Sequence, residues 1–189
     1  MPSSPPAGCA AVGYLRAMAK SPRVREQHIA VFGGSGSGKT VLVSSFYGPT
    51  QEGSYANDLW HLVADETGQG NRLFQNYLGM RDRATVPAIT KFASTTYYFT
   101  LKLKSGDNAA SRKRPFDALR LAWHDYPGEW FEETPSSDEE ARRRVDTFRS
   151  LLRSDVALFL VDGQKLLEYQ GEEERYLKSL LTNFRQGLL

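Results

Sequence analysis

Two kinds of apolar pattern alternate along the chain: short runs that stop at glycine or aspartate, and stretches with apolar residues every three or four positions. Val24–Gln27 lead into His28–Phe32, whose apolar run ends at Gly33-Gly34, the mark of a buried parallel strand. Lys39–Tyr47 carries Val41, Leu42, Ser45 and Phe46 in helical register and meets Gly48-Pro49, which predicts a helix and its end. Thr50–Thr90 is less regular, with a strand expected over Leu59–Val63. A helix is expected over Asn71–Arg81, where Leu73, Phe74, Tyr77 and Leu78 share a face, stopping near Gly79. Phe92–Lys104 alternates strictly, setting Tyr97, Phe99, Leu101 and Leu103 against Tyr98, Thr100 and Lys102. The polar segment Ser105–Arg114 joins it to Phe116–His124, where Leu119, Leu121 and Trp123 are in phase, so the two predict a long hairpin.

Beyond an acidic, loop-like stretch over Glu132–Glu140, a helix is expected over Ala141–Leu152 with Val145, Phe148, Leu151 and Leu152 as its buried stripe. Asp155–Val161 reads as a second fully buried strand, closed by Asp162-Gly163. A last helix follows, with Tyr176, Leu177, Leu180, Leu181 and Phe184 on one face. Strands separated by helical patterns predict an α/β fold.

Composition narrows the class. Hydrophobic residues are 40% of the chain and charged residues 24%, as in soluble globular proteins. A net charge of +2 gives no reason to expect nucleic acid as a partner. No apolar run approaches the roughly 18–20 residues that span a bilayer. Cys9 alone cannot build a disulfide framework and suits a reducing, cytoplasmic compartment. The segment before Cys9 is rich in proline and serine, lacks a basic start and has no long apolar stretch, and the apolar run around Cys9 is broken by Gly8 and Gly13. Residues 1–23 are therefore expected to be a loosely ordered leader, and 24–189 the folded domain.

The chemistry lies in Gly33-Gly34-Ser35-Gly36-Ser37-Gly38-Lys39-Thr40, which matches G-x-x-x-x-G-K-[ST]. Glycines let the backbone curl so that the N–H groups of Gly34–Gly38, and of Lys39, Thr40 and Val41 at the helix start, surround an anion. Lys39 suits β- and γ-phosphates and the Thr40 hydroxyl suits Mg²⁺. With glycine near 7% of residues, a chance match arises roughly once in thirty thousand positions, and this one has the required strand before it and helix after. Kinases, ATPases and GTPases all use such a loop, so a second motif must separate them. Asp125-Tyr126-Pro127-Gly128 at the end of an apolar strand matches D-x-x-G. In GTPases that aspartate holds Mg²⁺ through water and the glycine N–H meets the γ-phosphate. The same letters also spell an ordinary turn.

Over roughly Gln27–Gln164, the order of these elements resembles the TRAFAC-class GTPases. Within that class, Asp125-Tyr126-Pro127-Gly128-Glu129-Trp130-Phe131 resembles a segment of the YcjX-like proteins, and the insert ending Val86-Pro-Ala-Ile-Thr90 resembles bacterial double-GTPase domains. The resemblance implies a three-layer P-loop sandwich with a mostly parallel sheet and one antiparallel hairpin. It also implies that Thr90 completes the Mg²⁺ shell when γ-phosphate is present, with Thr85 second in line and Thr95 and Thr96 inside the strand. Residues 48–84 become an elaboration of the switch side, and Asp162 an aspartate of structural use.

Glu129 stands where small GTPases carry a water-orienting glutamine, so it either orients or deprotonates the attacking water or is an exposed switch glutamate. Among Arg142, Arg143 and Arg144, one would be an arginine finger, or all three form a solvated helix face with i,i+4 pairs. Arg112, Lys113 and Arg114 at the hairpin tip read as a solvated loop or as a contact for an acidic partner. His28, His61 and His124 do not cluster at ligand spacing, leaving Mg²⁺ as the metal expected.

No N/T-K-x-D motif follows Asp162, so preference for GTP and GDP over ATP and ADP rests on resemblance. The sheet is expected to lack its fifth and sixth strands and to expose an apolar edge, which a C-terminal segment or a protein partner would complete. Three classes follow: a Mg²⁺-dependent GTPase switch, a P-loop ATPase, or a nucleotide-binding interaction module with little hydrolysis.

Overall fold

The structure, a computed structural model, describes residues 22–53, 60–88, 94–103, 113, 115–131, 135–168 and 170–188. The expected leader as far as residue 21, Thr90, and Arg112 and Arg114 of the hairpin tip lie outside them.

One five-stranded sheet runs in the order β2-β3-β4-β1-β5. Central β1 (Val24–Phe32) pairs in parallel with β4 (Ala118–Asp125) on one side and β5 (Val156–Phe159) on the other. β3 (Thr95–Leu103) is antiparallel to β4, and β2 (Trp60–Ala64) is antiparallel to β3. Four strands thus point one way and β3 alone opposes them, giving the mostly parallel sheet with its hairpin.

Period-two alternation divides the core. On one face Val31, Leu62, Tyr97, Phe99, Leu121 and Trp123 pack beneath Val43 and Tyr47 of α1 (Lys39–Tyr47) and Leu73 of α2 (Thr67–Arg83). On the other, Ala30, Phe32 and Tyr126 meet Phe148 of α3 (Asp138–Leu151). Two further helices, α4 (Gly163–Glu168) and α5 (Glu173–Leu188), follow β5. Residues 48–84 supply the 3-10 turn Gly48–Gln51, β2 and α2, widening the sheet on its β3 side.

Three expectations need correction. Gly79 does not stop α2, which runs to Arg83 and ends at Ala84 in the left-handed region (φ 51°), with the Thr85 N–H returning to the Gly79 carbonyl. A Cβ at Gly79 would sit 2.8 Å from Thr85 Oγ1, so this glycine makes room for the capping turn. Thr85 is thereby engaged in a helix cap.

The stripe expected on α3 is also displaced. Phe148 is buried, but Val145 is 42% and Leu152 60% exposed, and Arg144 points inward one turn before Phe148. The helix starts at Asp138, inside the stretch read as loop, because Ser137 Oγ accepts the Glu140 N–H at 3.2 Å and Glu140 accepts the Ser136 N–H at 2.8 Å. Finally, Asp155–Val161 is not fully buried. β5 is an edge strand with Val156 44% exposed, and among the described residues no strand lies beyond it.

Candidate functional site

Both motifs sit at the carboxyl ends of the parallel strands, where open α/β sheets present their binding crevices. β1 ends at Phe32 and α1 begins at Lys39, so the glycine-rich segment is the whole connection. Gly36 (φ 76°) and Gly38 (φ 92°) occupy the left-handed region, which lets the loop curl back onto the helix start. The buried Lys39 crosses its own loop, donating from Nζ to the carbonyls of Gly33 and Gly34, both at 2.8 Å.

Thr40, in the first turn of α1, donates from Oγ1 to Oδ2 of Asp125 at 3.2 Å, 85 residues away in sequence. Strand register makes this possible: Asp125 ends β4 opposite Val31 on β1 and Thr95 on β3. Its carboxylate is only 2% exposed, and burial pushes the carboxyl above its usual range against the pull of the Lys39 ammonium and the Thr40 hydroxyl. Hard oxygen donors on a buried carboxylate and an adjacent hydroxyl fit Mg²⁺.

The raised Asp125 carboxyl has a consequence for stability. Folding favours its protonated form, so its contribution is fully present below the unfolded value and is lost as pH rises through the folded value. Asp125→Asn keeps an acceptor for Thr40 but removes the buried charge. It is expected to raise the ligand-free melting temperature at neutral pH. A ligand-free melting temperature that drops in this variant would contradict a net burial penalty.

Gly128 opens the 3-10 turn Gly128–Phe131, and a Cβ there would land on the backbone of Gly34 and Ser35. The D-x-x-G segment therefore touches the glycine-rich loop directly. Between them lies a cleft of about 250 Å³, walled by Ser35, Gly36, Gly38, Lys39, Thr40 and Val41 on one side. Asp125, Tyr126 and Gly128 form another wall, and Val86–Ala88 a third. That volume falls below the roughly 300–1,000 Å³ typical of sites that enclose a whole small ligand.

The structure thus brings Ser35, Gly36, Gly38, Lys39, Thr40 and Val41 together with Asp125 and Gly128 around one cleft, while Gly34 and Ser37 do not line it. The backbone of Glu129 lies in the turn beside it. Thr90 is outside the described residues, although Val86–Ala88, just ahead of it, line the cleft. Thr95 and Thr96 belong to β3, as expected. Asp162 accepts the Gln164 N–H at 2.9 Å and so caps α4, a structural task.

Several participants escaped the sequence reading. Tyr126 is buried against Phe32, with ring centroids 6.4 Å apart, and anchors the D-x-x-G segment to the core. Arg144 is not part of a solvated face: it is buried beside Trp130, bonded to Glu140 and to the Trp130 carbonyl. The aromatic spacing of Tyr126 and Trp130 was the visible signal for the first, while nothing in the triple arginine singled out the second. His28 and His124 share a 3.0 Å Nδ1–Nε2 contact because adjacent β1 and β4 bring them onto one face. Among the described residues no group of three or more His, Cys, Asp or Glu has metal-holding geometry, and no helix is long and apolar enough to cross a membrane.

Two comparisons with known proteins bear on this site. The family model for double-GTPase 2 matches residues 27–188, a span that holds every element of the cleft. No curated protein matches the chain.

Proposed function

The chain belongs to the double-GTPase 2 family, and from that premise we propose that it binds GTP and GDP with Mg²⁺, hydrolyses GTP slowly, and changes conformation with the γ-phosphate. The observation that carries this reading is the 3.2 Å bond from Thr40 to the buried Asp125 beside a lysine-strapped glycine loop. A hydroxyl and a carboxylate converging next to an anion nest are what a Mg²⁺–polyphosphate requires.

In this reading the N–H groups of Gly34–Val41 cradle the phosphates and the Lys39 ammonium neutralises the β- and γ-oxygens. Thr40 and Asp125 would hold the metal, and Thr90 would join them when the γ-phosphate is present. When bound, Mg²⁺ would supply charge neutralisation on the phosphates. The Gly128 N–H contacts the γ-phosphate, and Glu129 orients or deprotonates the attacking water.

The deciding experiment is titration of GTP, GDP, ATP and ADP, with and without Mg²⁺. Tight binding of adenine nucleotides alone would overturn the GTP assignment. Single-turnover hydrolysis is expected on the order of 10⁻⁴–10⁻² s⁻¹, the range of GTPases acting without an arginine supplied by a partner. Arg144 is committed to Glu140 and Trp130, which supports a rate in or below that range.

Glu129→Ala is expected to slow hydrolysis about tenfold or more while affinity stays within a few-fold, because its contact forms with the water in the transition state. Equal rates in variant and wild type would remove Glu129 from the catalytic residues. We further propose that the outer edge of β5, apolar over Val156–Phe159, accepts a strand from a C-terminal continuation or a protein partner.

A further inference from the structure

Arg144 and Arg143 are neighbours on α3, yet their side chains are 8% and 64% exposed. Arg143 has the arrangement that suffices to support a helix, a solvated i,i+4 contact with Glu139 at 3.8 Å. Arg144 goes further. Its Nε and Nη2 both donate to Glu140 Oε1, while Nη1 leaves the helix and donates to the Trp130 carbonyl at 3.3 Å. The guanidinium also lies over the Trp130 ring, 5.9 Å from its centroid. Burying a guanidinium is costly unless its fork of donors is used, and part of this fork is used across a gap between two elements.

The other side of that gap is the turn that carries Gly128 and Glu129. Trp130 meets Phe148 edge-on and Tyr126 at a tilt, each with centroids 6.4 Å apart, and its N–H bonds to the Pro127 carbonyl at 3.3 Å. The turn is therefore held at both ends: Gly128 against the Gly34–Ser35 backbone, and Trp130 against α3. The anchor beneath Arg144 is itself fixed, since Glu140 accepts the Ser136 N–H at 2.8 Å and the Ser136 hydroxyl at 2.5 Å. Those bonds, with Arg144, hold the Glu140 carboxyl down at about 2, so the clamp stays charged throughout the working pH range.

We infer that Arg144 is a positioning residue for the γ-phosphate-sensing turn, clamping Trp130 to α3 so that Gly128 stays at the phosphate cleft. The inference rests on the functional reading above and assigns a cause to its dependence on the third phosphate. Contacts of Lys39 and the loop N–H groups with the β-phosphate do not involve this clamp, so GDP affinity is independent of it. GTP affinity and hydrolysis are not.

The test uses the full chain with Mg²⁺ and fluorescent forms of GDP and a non-hydrolysable GTP analogue, together with single-turnover hydrolysis. Arg144→Ala is expected to weaken GTP-analogue binding and slow hydrolysis roughly tenfold, the scale of one lost hydrogen bond to a charged group, with GDP affinity within about twofold of wild type. Arg144→Lys keeps the charge but cannot reach carboxylate and carbonyl together, so it should restore part of the loss. Arg143→Ala should change nothing. Should Arg144→Ala not fold, Arg144→Lys decides alone, and wild-type hydrolysis and GTP preference in it would overturn the inference. A folded Arg144→Ala with the wild-type GTP-to-GDP affinity ratio and rate overturns it as well, while leaving the functional reading intact. A wild-type protein that binds neither nucleotide overturns both.

Discussion

Lys39→Ala is expected to remove most of the nucleotide-dependent stabilisation. In the wild type, Mg²⁺-nucleotide at about a hundred times its dissociation constant should stabilise the fold by roughly 2.7 kcal/mol. The lysine is buried, and its ammonium lies between two carbonyls of its own loop, 2.8 Å from each, on the wall of the cleft. Alanine leaves the anion nest without its cation, and an affinity loss of about 100-fold or more follows, which would cut that stabilisation to about 0.4 kcal/mol or less. Asp125 also loses the charge that opposes its burial penalty, so its carboxyl should rise further. Thermal melts with and without Mg²⁺-GTP measure the effect. A nucleotide-induced rise that survives unchanged in Lys39→Ala would sink the phosphate-site assignment.

The second large effect belongs to Gly128→Ala. Here one methyl group would occupy space filled by the backbone of Gly34 and Ser35. Backbone cannot rotate aside as a side chain can, so either the loop or the turn must move. Overpacking of this kind costs about 1–3 kcal/mol, or roughly 2–12 °C in melting temperature at 2–4 °C per kcal/mol. The displaced turn should also lose its contact with the γ-phosphate, bringing GTP affinity down toward GDP affinity. Denaturant titration and paired GTP and GDP binding measure the two consequences. Unchanged stability together with an intact GTP preference would mean that the turn does not press on the loop in solution.

Legibility in the sequence followed the range of the physics. The phosphate loop was readable because its chemistry is local: consecutive backbone groups and one lysine form the nest, whatever lies elsewhere. Asp125 was readable for a related reason, since a polar residue ending an apolar strand is a local signal that strand order then carries to Thr40. Gly79 misled because glycine breaks an exposed helix but also serves where another backbone segment must come close, as the Thr85 cap does here. On α3, counting apolar residues selected Val145 and Leu152, whereas Arg144 took the inward position once Glu140 and Trp130 offered it partners. The Glu140–Arg144 pair is an ordinary i,i+4 spacing, but no local pattern reports that the carbonyl and ring of Trp130, from another element, will meet the same guanidinium.

By itself, then, the order of residues determined the strand and helix periods, the loop that suits phosphate, and the strand end where its partner aspartate stands. These depend on backbone geometry and on neighbours within a few positions. Tertiary structure alone decided that β2 and α2 widen the sheet, that His28 meets His124, and that Gly128 and Trp130 pin one turn between the phosphate loop and α3. Each of those is a contact between segments far apart in the chain, set by strand register and by which buried groups find partners, and a register is a property of two strands that neither one carries alone.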